Sequence, residues 1–145
     1  MKALIQRVVS ASVKIEADVV GEISQGILLL LGVEKGDDTQ KAKKLLEKVI
    51  KYRVFADQDD RMNLSLMDIQ GELLVVSQFT LVANTQKGLR PSFSSAALPN
   101  ESAVLYQYFI DEAKKTGLKV SAGRFGADMA VSLVNDGPVT FNLSV

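Results

Sequence analysis

The chain has 145 residues, 47% of them apolar, and its 17 acidic residues balance 17 basic ones. That is one domain's length with material for one core, and it excludes both a disordered chain and a uniformly basic nucleic-acid coat. Cysteine and histidine are both absent, which excludes disulfides, thiolate nucleophiles, Cys- or His-ligated metals and any imidazole base, so catalysis must come from carboxylates, Lys, hydroxyls, backbone dipoles or the substrate itself.

In chain order, residues 2–9 and 12–16 are rich in Val, Ile and Leu and read as strands, and 19–23 continues in the same style. No secretory apolar region opens the chain, which with the lack of Cys points to the cytoplasm. Gly26 leads into the apolar run 27–33, too short for a membrane span and suited to a strand covered on both faces. Gly36-Asp37-Asp38-Thr39 is a helix-start signal, and Ala42, Leu45, Leu46, Val49 and Ile50 then recur at helical spacing. This helix carries Lys41, Lys43, Lys44, Lys48, Lys51 and Arg53 against Glu47 alone. The run reads as a solvated face or as a surface for a phosphate backbone. Asp57, Asp59 and Asp60 imitate the start of a calcium loop, but Arg61 and Met62 stand where that loop needs an oxygen ligand and a glycine, so no metal is expected.

Leu64 to Met67 and Leu73 to Leu81, joined at Gln70-Gly71, read as a hairpin. The stretch 83–99 has no periodicity and reads as a functional loop. Asn100 is the expected cap of a second helix running to Lys115, with Leu105, Phe109, Ile110 and Ala113 inward and Gly117 ending it. Runs at 118–122, 129–134 and 139–145 close the chain, the last two joined by an Asn135-Asp136-Gly137-Pro138 turn. The expected fold is a single α/β domain spanning 1–145, with two main helices layered on mixed β-sheets.

Four stretches could carry chemistry. Ser77-Gln78-Phe79-Thr80 ends an apolar strand and offers hydroxyls, an amide and backbone donors for an oxyanion, or is simply an alternating strand. Gly137-Pro138 is a turn dipeptide that could be cis. In Gly123 to Met129, two glycines permit close approach, and Phe125 and Met129 could sandwich a flat ring or anchor a plain connection. Lys87 and Arg90 place two cations in a loop without an acid, able to grip phosphate or only to solvate the loop.

Together these stretches resemble the D-aminoacyl-tRNA deacylases, first described as D-tyrosyl-tRNA deacylases. The resemblance runs from Met1 to Val145. It rests on Gln6-Arg7-Val8 with Ala11-Ser12-Val13, Lys51-Tyr52-Arg53-Val54-Phe55 with Met62-Asn63 and Ser65, Ser77 to Leu81, Arg90-Pro91-Ser92-Phe93, Gly123 with Phe125-Gly126-Ala127 and Met129, and Asn135 to Thr140. It implies a cytoplasmic homodimer with a layered β/β/α fold and a hydrolase that releases D-amino acids from tRNA with no cofactor or metal. DNA and membranes are not implied partners.

The resemblance further implies a site at the dimer interface. Ser77, Gln78, Phe79 and Thr80 come from one subunit, and Gly137-Pro138, with a cis peptide, from the other. Arg7 braces that turn, and Phe125, Gly126 and Met129 hold the terminal adenosine. Backbone carbonyls would accept from the substrate's α-ammonium and exclude an L side chain, which predicts activity on glycyl-tRNA as well. Two other readings remain: an RNA-binding module without turnover, and an esterase for small D-amino-acid esters.

Overall fold

The computed structural model describes residues 1–145. Strands β1 (Lys2–Ile15), β2 (Asp18–Ile23) and β3 (Gly26–Gly32) precede helix α1 (Thr39–Lys51). Short strands β4 (Phe55–Ala56) and β5 (Met62–Leu64) pair with each other, and β6 (Glu72–Ser77) runs into a 3-10 turn, Phe79–Val82. Helix α2 (Pro99–Lys114) and strands β7 (Val120–Ala122) and β8 (Ala130–Ser144) complete the chain. The arrangement is a mixed α/β domain with two helices, as the sequence led us to expect.

β1 organises the sheet. Its first half pairs antiparallel with β3, its second half with β2, and nearly its whole length with β8 on the other side. β3 pairs parallel with β6, and β6 parallel with β7. The register against β8 shifts between Gln6 and Val8 and again between Val8 and Ser10. Such irregularities change which face a side chain meets. Ala3 and Ile5 therefore enter the core beneath the helices, whereas Val8, Ala11 and Val13 enter a second cluster with Leu28, Leu74 and Val76. The sheet thus folds over itself: a Cβ on Gly21 of β2 would come within 2.9 Å of the Ala122 carbonyl. The helices cover the outer face as a third layer.

Both helices are built from signals in the sequence. The Asp38 carboxylate accepts from the Lys41 N–H at 2.8 Å and caps α1, which buries Ala42, Leu45, Leu46, Val49 and Ile50. α2 starts at Pro99, whose missing N–H is no loss in a first turn. Its face of Leu105, Tyr106, Phe109, Ile110 and Ala113 is buried, each large side chain contributing about 1.5–3 kcal/mol of transfer free energy.

Five readings need correction. Residues 2–9 and 12–15 lie in one strand, and Glu16 opens the turn after it. Leu64–Met67 and Leu73–Leu81 do not form a hairpin, because β5 pairs with β4 while β6 finds its partners in β3 and β7. The strand from Leu73 ends at Ser77, and residues 79–82 curl into the 3-10 turn. Leu98, not Asn100, is the N-cap of α2. Asn135 to Pro138 is no hairpin turn, since the segments on both sides of it pair with the same strand, β1.

Candidate functional site

The end of β6 is set by its neighbours. The Gln78 N–H donates to the Leu31 carbonyl at 2.8 Å, and the chain then turns through Phe79 and Thr80, with Leu81 N–H donating to Gln78 and Ala83 N–H to Thr80. Residues opening such a turn have N–H groups with no partner inside it, so those of Phe79 and Thr80 are available to an anion. The Gln78 side-chain amide donates to the Thr80 hydroxyl at 2.5 Å. No charged side chain shares that hydroxyl in the hydrogen-bond network, so nothing there is poised to deprotonate it. Phe79 is 62% exposed and leans on Phe93, ring centroids 5.1 Å apart.

Beside this turn the chain leaves β7 at Gly123. The Tyr106 hydroxyl lies 2.9 Å from both the Val75 and Gly123 carbonyls, and its ring meets that of Phe125 at 5.9 Å. Burial pushes the phenol above its ordinary range, so it stays protonated and acts as a donor. A cavity of about 490 Å³ opens here between Tyr106, Gln107, Gly123, Arg124 and Phe125. A Cβ on Gly123 would lie 2.6 Å from the Met129 sulfur. Gly126 is exposed with φ +74. Phe125 and Met129 do not sandwich a common space: Phe125 packs on the helix-side core and Met129 on the inner cluster.

The Gly137-Pro138 peptide is cis and both residues are exposed. The Arg7 Nε donates to the Asp136 carbonyl at 3.1 Å and pairs with its carboxylate at 3.2 Å, while Nη1 donates to the Val54 carbonyl at 2.6 Å. Arg7 therefore ties the turn to the corner after α1. Gly137 has φ +123, and a Cβ there would meet Val139 Cγ2 at 2.8 Å and Arg7 Nη2 at 3.2 Å. Only glycine suits both demands.

These stretches do not all meet within one chain. Residues 137–138 lie opposite Arg7, level with Ile27 and Leu73, whereas Ser77 is four residues further along β6 and three strands across. At about 4.8 Å per strand and 3.3 Å per residue the separation is about 19 Å. Ser77 to Thr80 and the Gly123 loop are neighbours; Gly137-Pro138 stands apart from both.

Lys87 and Arg90 sit exposed at the tip of a loop closed by paired Asn84 and Ser92. On the basic helix, Lys41 is held by Asp37 and Gly36 and Lys48 by the Ser144 carbonyl, while Lys43, Lys44 and Lys51 are exposed. Asp57 spends its carboxylate on the Asp59 and Arg61 N–H groups and on Asn63, which closes the β4–β5 turn. Tyr106 was absent from the residues the sequence suggested, although a phenol on the buried face of a helix signals a need for a polar partner.

Comparison with known proteins adds the following. The family model described as D-Tyr-tRNA(Tyr) deacylase matches residues 4–144. A D-aminoacyl-tRNA deacylase of Pseudoalteromonas translucida (strain TAC 125) is 67% identical, and one of Photorhabdus laumondii subsp. laumondii 61%, each over all of both chains. A solved structure named c-Myc DNA Unwinding Element Binding Protein superposes with TM-score 0.94 at 37% identity, covering 100% of this chain and 99% of that one. A probable eukaryotic D-amino acid tRNA deacylase shares the fold, with TM-score 0.87 at 13% identity over 99% and 98% of the two chains.

Proposed function

The chain belongs to the D-Tyr-tRNA(Tyr) deacylase family of hydrolases, and on that premise we propose that it hydrolyses the ester of D-aminoacyl-tRNA in a site shared between two subunits. The observation that carries the two-subunit reading is the register, which sets Gly137-Pro138 three strands and four residues from Ser77, about 19 Å along a flat sheet. A second copy brings Gly137-Pro138 to the partner's Ser77–Thr80 turn. Exposed apolar side chains flank both halves, Phe79, Leu89 and Phe93 on one and Val9 and Val134 on the other, and would be covered by such an interface.

In this site the carbonyls of Gly137 and Pro138 accept from the substrate's α-ammonium, and a side chain in the L configuration meets the turn's backbone. Selection by backbone leaves the D side chain free to vary, and glycine, with no side chain, passes too. Arg7 holds the turn in place. Phe125, Gly126 and Met129 line the approach of the terminal adenosine, and Lys87 and Arg90 take tRNA phosphates. An aminoacyl ester is already activated, so orientation and the N–H groups of Phe79 and Thr80 supply much of the rate. The 2′-hydroxyl of the terminal ribose assists the attacking water, and no side chain forms a covalent intermediate. No helix of the chain is long and apolar enough to cross a membrane, and we assign the activity to the cytoplasm, where charged tRNA is used.

The test is hydrolysis of D-tyrosyl-, L-tyrosyl- and glycyl-tRNA at equal enzyme. Loss of the D- and glycyl esters alone is expected. Equal loss of the L-ester would defeat backbone selection, and loss of none by folded protein would leave an RNA-binding module.

A further inference from the structure

The parallel ladder between β6 and β7 breaks off at one defined rung. Odd residues of β6 bond toward β7: the Leu73 N–H donates to Lys119, and Val75 accepts from the Gly123 N–H at 2.9 Å. Even residues bond toward β3, as Gln78 does with Leu31. The next rung toward β7 would join the Ser77 N–H to the Gly123 carbonyl. It is not made. The Gly123 carbonyl instead accepts from the Tyr106 hydroxyl at 2.9 Å, the Val75 carbonyl lies 2.9 Å from the same oxygen, and the Ser77 backbone faces it. Tyr106 is 3% exposed and reaches this point from α2. One phenol thus occupies the missing rung, at the point where the Ser77–Thr80 turn and the Gly123–Met129 loop diverge.

We propose that Tyr106 is a positioning residue whose hydroxyl, inserted between β6 and β7, sets the gap between the hydrolytic turn and the loop that receives the substrate's terminal nucleoside. The inference rests on the deacylase reading above. An inserted oxygen holds two strand ends apart at a fixed spacing while giving the backbone groups that face it a polar partner. The cavity between Tyr106, Gly123 and Phe125 is bounded by that spacing. The tyrosine touches no reacting atom and acts through Ser77 and Gly123.

The experiment compares Tyr106→Phe, which keeps the ring against Phe125, with Phe109→Leu, a fully buried control on the same helix away from the rung. Steady-state hydrolysis of D-tyrosyl-tRNA and amide hydrogen exchange at Ser77 are measured for both. Tyr106→Phe is expected to raise KM roughly tenfold while kcat stays within about twofold, and to speed Ser77 exchange, whereas Phe109→Leu lowers thermal stability without moving KM. Unchanged kinetics in Tyr106→Phe, or kcat and KM moving as they do in Phe109→Leu, would overturn the proposal. If wild-type protein fails to hydrolyse D-tyrosyl-tRNA, the deacylase reading falls instead, and Ser77 exchange alone then decides whether the phenol holds the rung.

Discussion

A site divided between two subunits makes a quantitative demand on mixtures of differently blocked chains. Thr80 is exposed, so Thr80→Trp places a bulky ring over the hydrolytic turn without entering the core. Gly137→Ala forces a Cβ to within 2.8 Å of Val139 and 3.2 Å of Arg7 at φ +123, which displaces the opposite half. Each variant alone carries a damaged half in both of its sites and is expected to be inactive. In a dimer of one chain of each kind, one site collects both substitutions and the other collects neither. A freely exchanged equal mixture contains half mixed dimers, so about one quarter of wild-type activity should return. Purifying the mixed dimer through two different tags should raise this to about one half. The assay is release of D-tyrosine from charged tRNA, with unmixed parents beside it. A mixture as inactive as its parents, from chains shown to exchange, would refute the shared site.

Other outcomes follow from the same structure. Thr80→Ala should retain activity within roughly tenfold of wild type, because removing one oriented hydroxyl costs less than removing a nucleophile; complete loss with an intact fold would mark Thr80 as the nucleophile. The Asp37 carboxylate is 1% exposed and takes the Met1 ammonium at 2.8 Å and the Glu34 N–H at 2.7 Å. Asp37→Asn weakens a buried pair and should cost about 3 kcal/mol, lowering the thermal midpoint by roughly 6–12 °C in a scan. Acid sensitivity has named sources. The Ser65 hydroxyl and N–H hold Asp68 below its ordinary 3.8, and Lys119 chiefly holds Glu72 below 4.5. Both groups are depressed in the folded chain, so their stabilisation is complete above the unfolded values and disappears as pH falls through the folded ones. Urea unfolding at about pH 6 and about pH 3 should show a smaller acid loss for Asp68→Asn and Glu72→Gln than for wild type.

What the sequence made legible was local. The apolar run 27–33, the capped helix after Asp38 and the amphipathic face of α2 are patterns that neighbouring residues complete by themselves. What it concealed was pairing at a distance. Residues 72–77 read as half of a hairpin because a turn precedes them, yet their partners are residues 26–31. Gly-Pro ordinarily ends a strand, since proline gives no N–H to a ladder; β8 passes through it because β1 shifts register there. The functional stretches were readable as motifs, and their division between two subunits came only from the family resemblance, because within one chain the distance is a sum over three strand pairings. Phe125 and Met129, in the loop between β7 and β8, pack on different clusters, which a spacing of four residues does not reveal.

Arg7 has a further consequence. Its guanidinium runs from the carbonyl of buried Val54, in the corner after α1, to the backbone before Gly137, so the turn is moored to the core rather than left to the surface. Warming cannot slacken the turn without also loosening the seat of α1. With that turn selecting handedness as proposed above, fidelity and folding would share a single failure temperature. A heated sample should lose its catalytic rate no later than its preference for handedness, and it should not pass through a regime in which an intact enzyme destroys correctly charged tRNA.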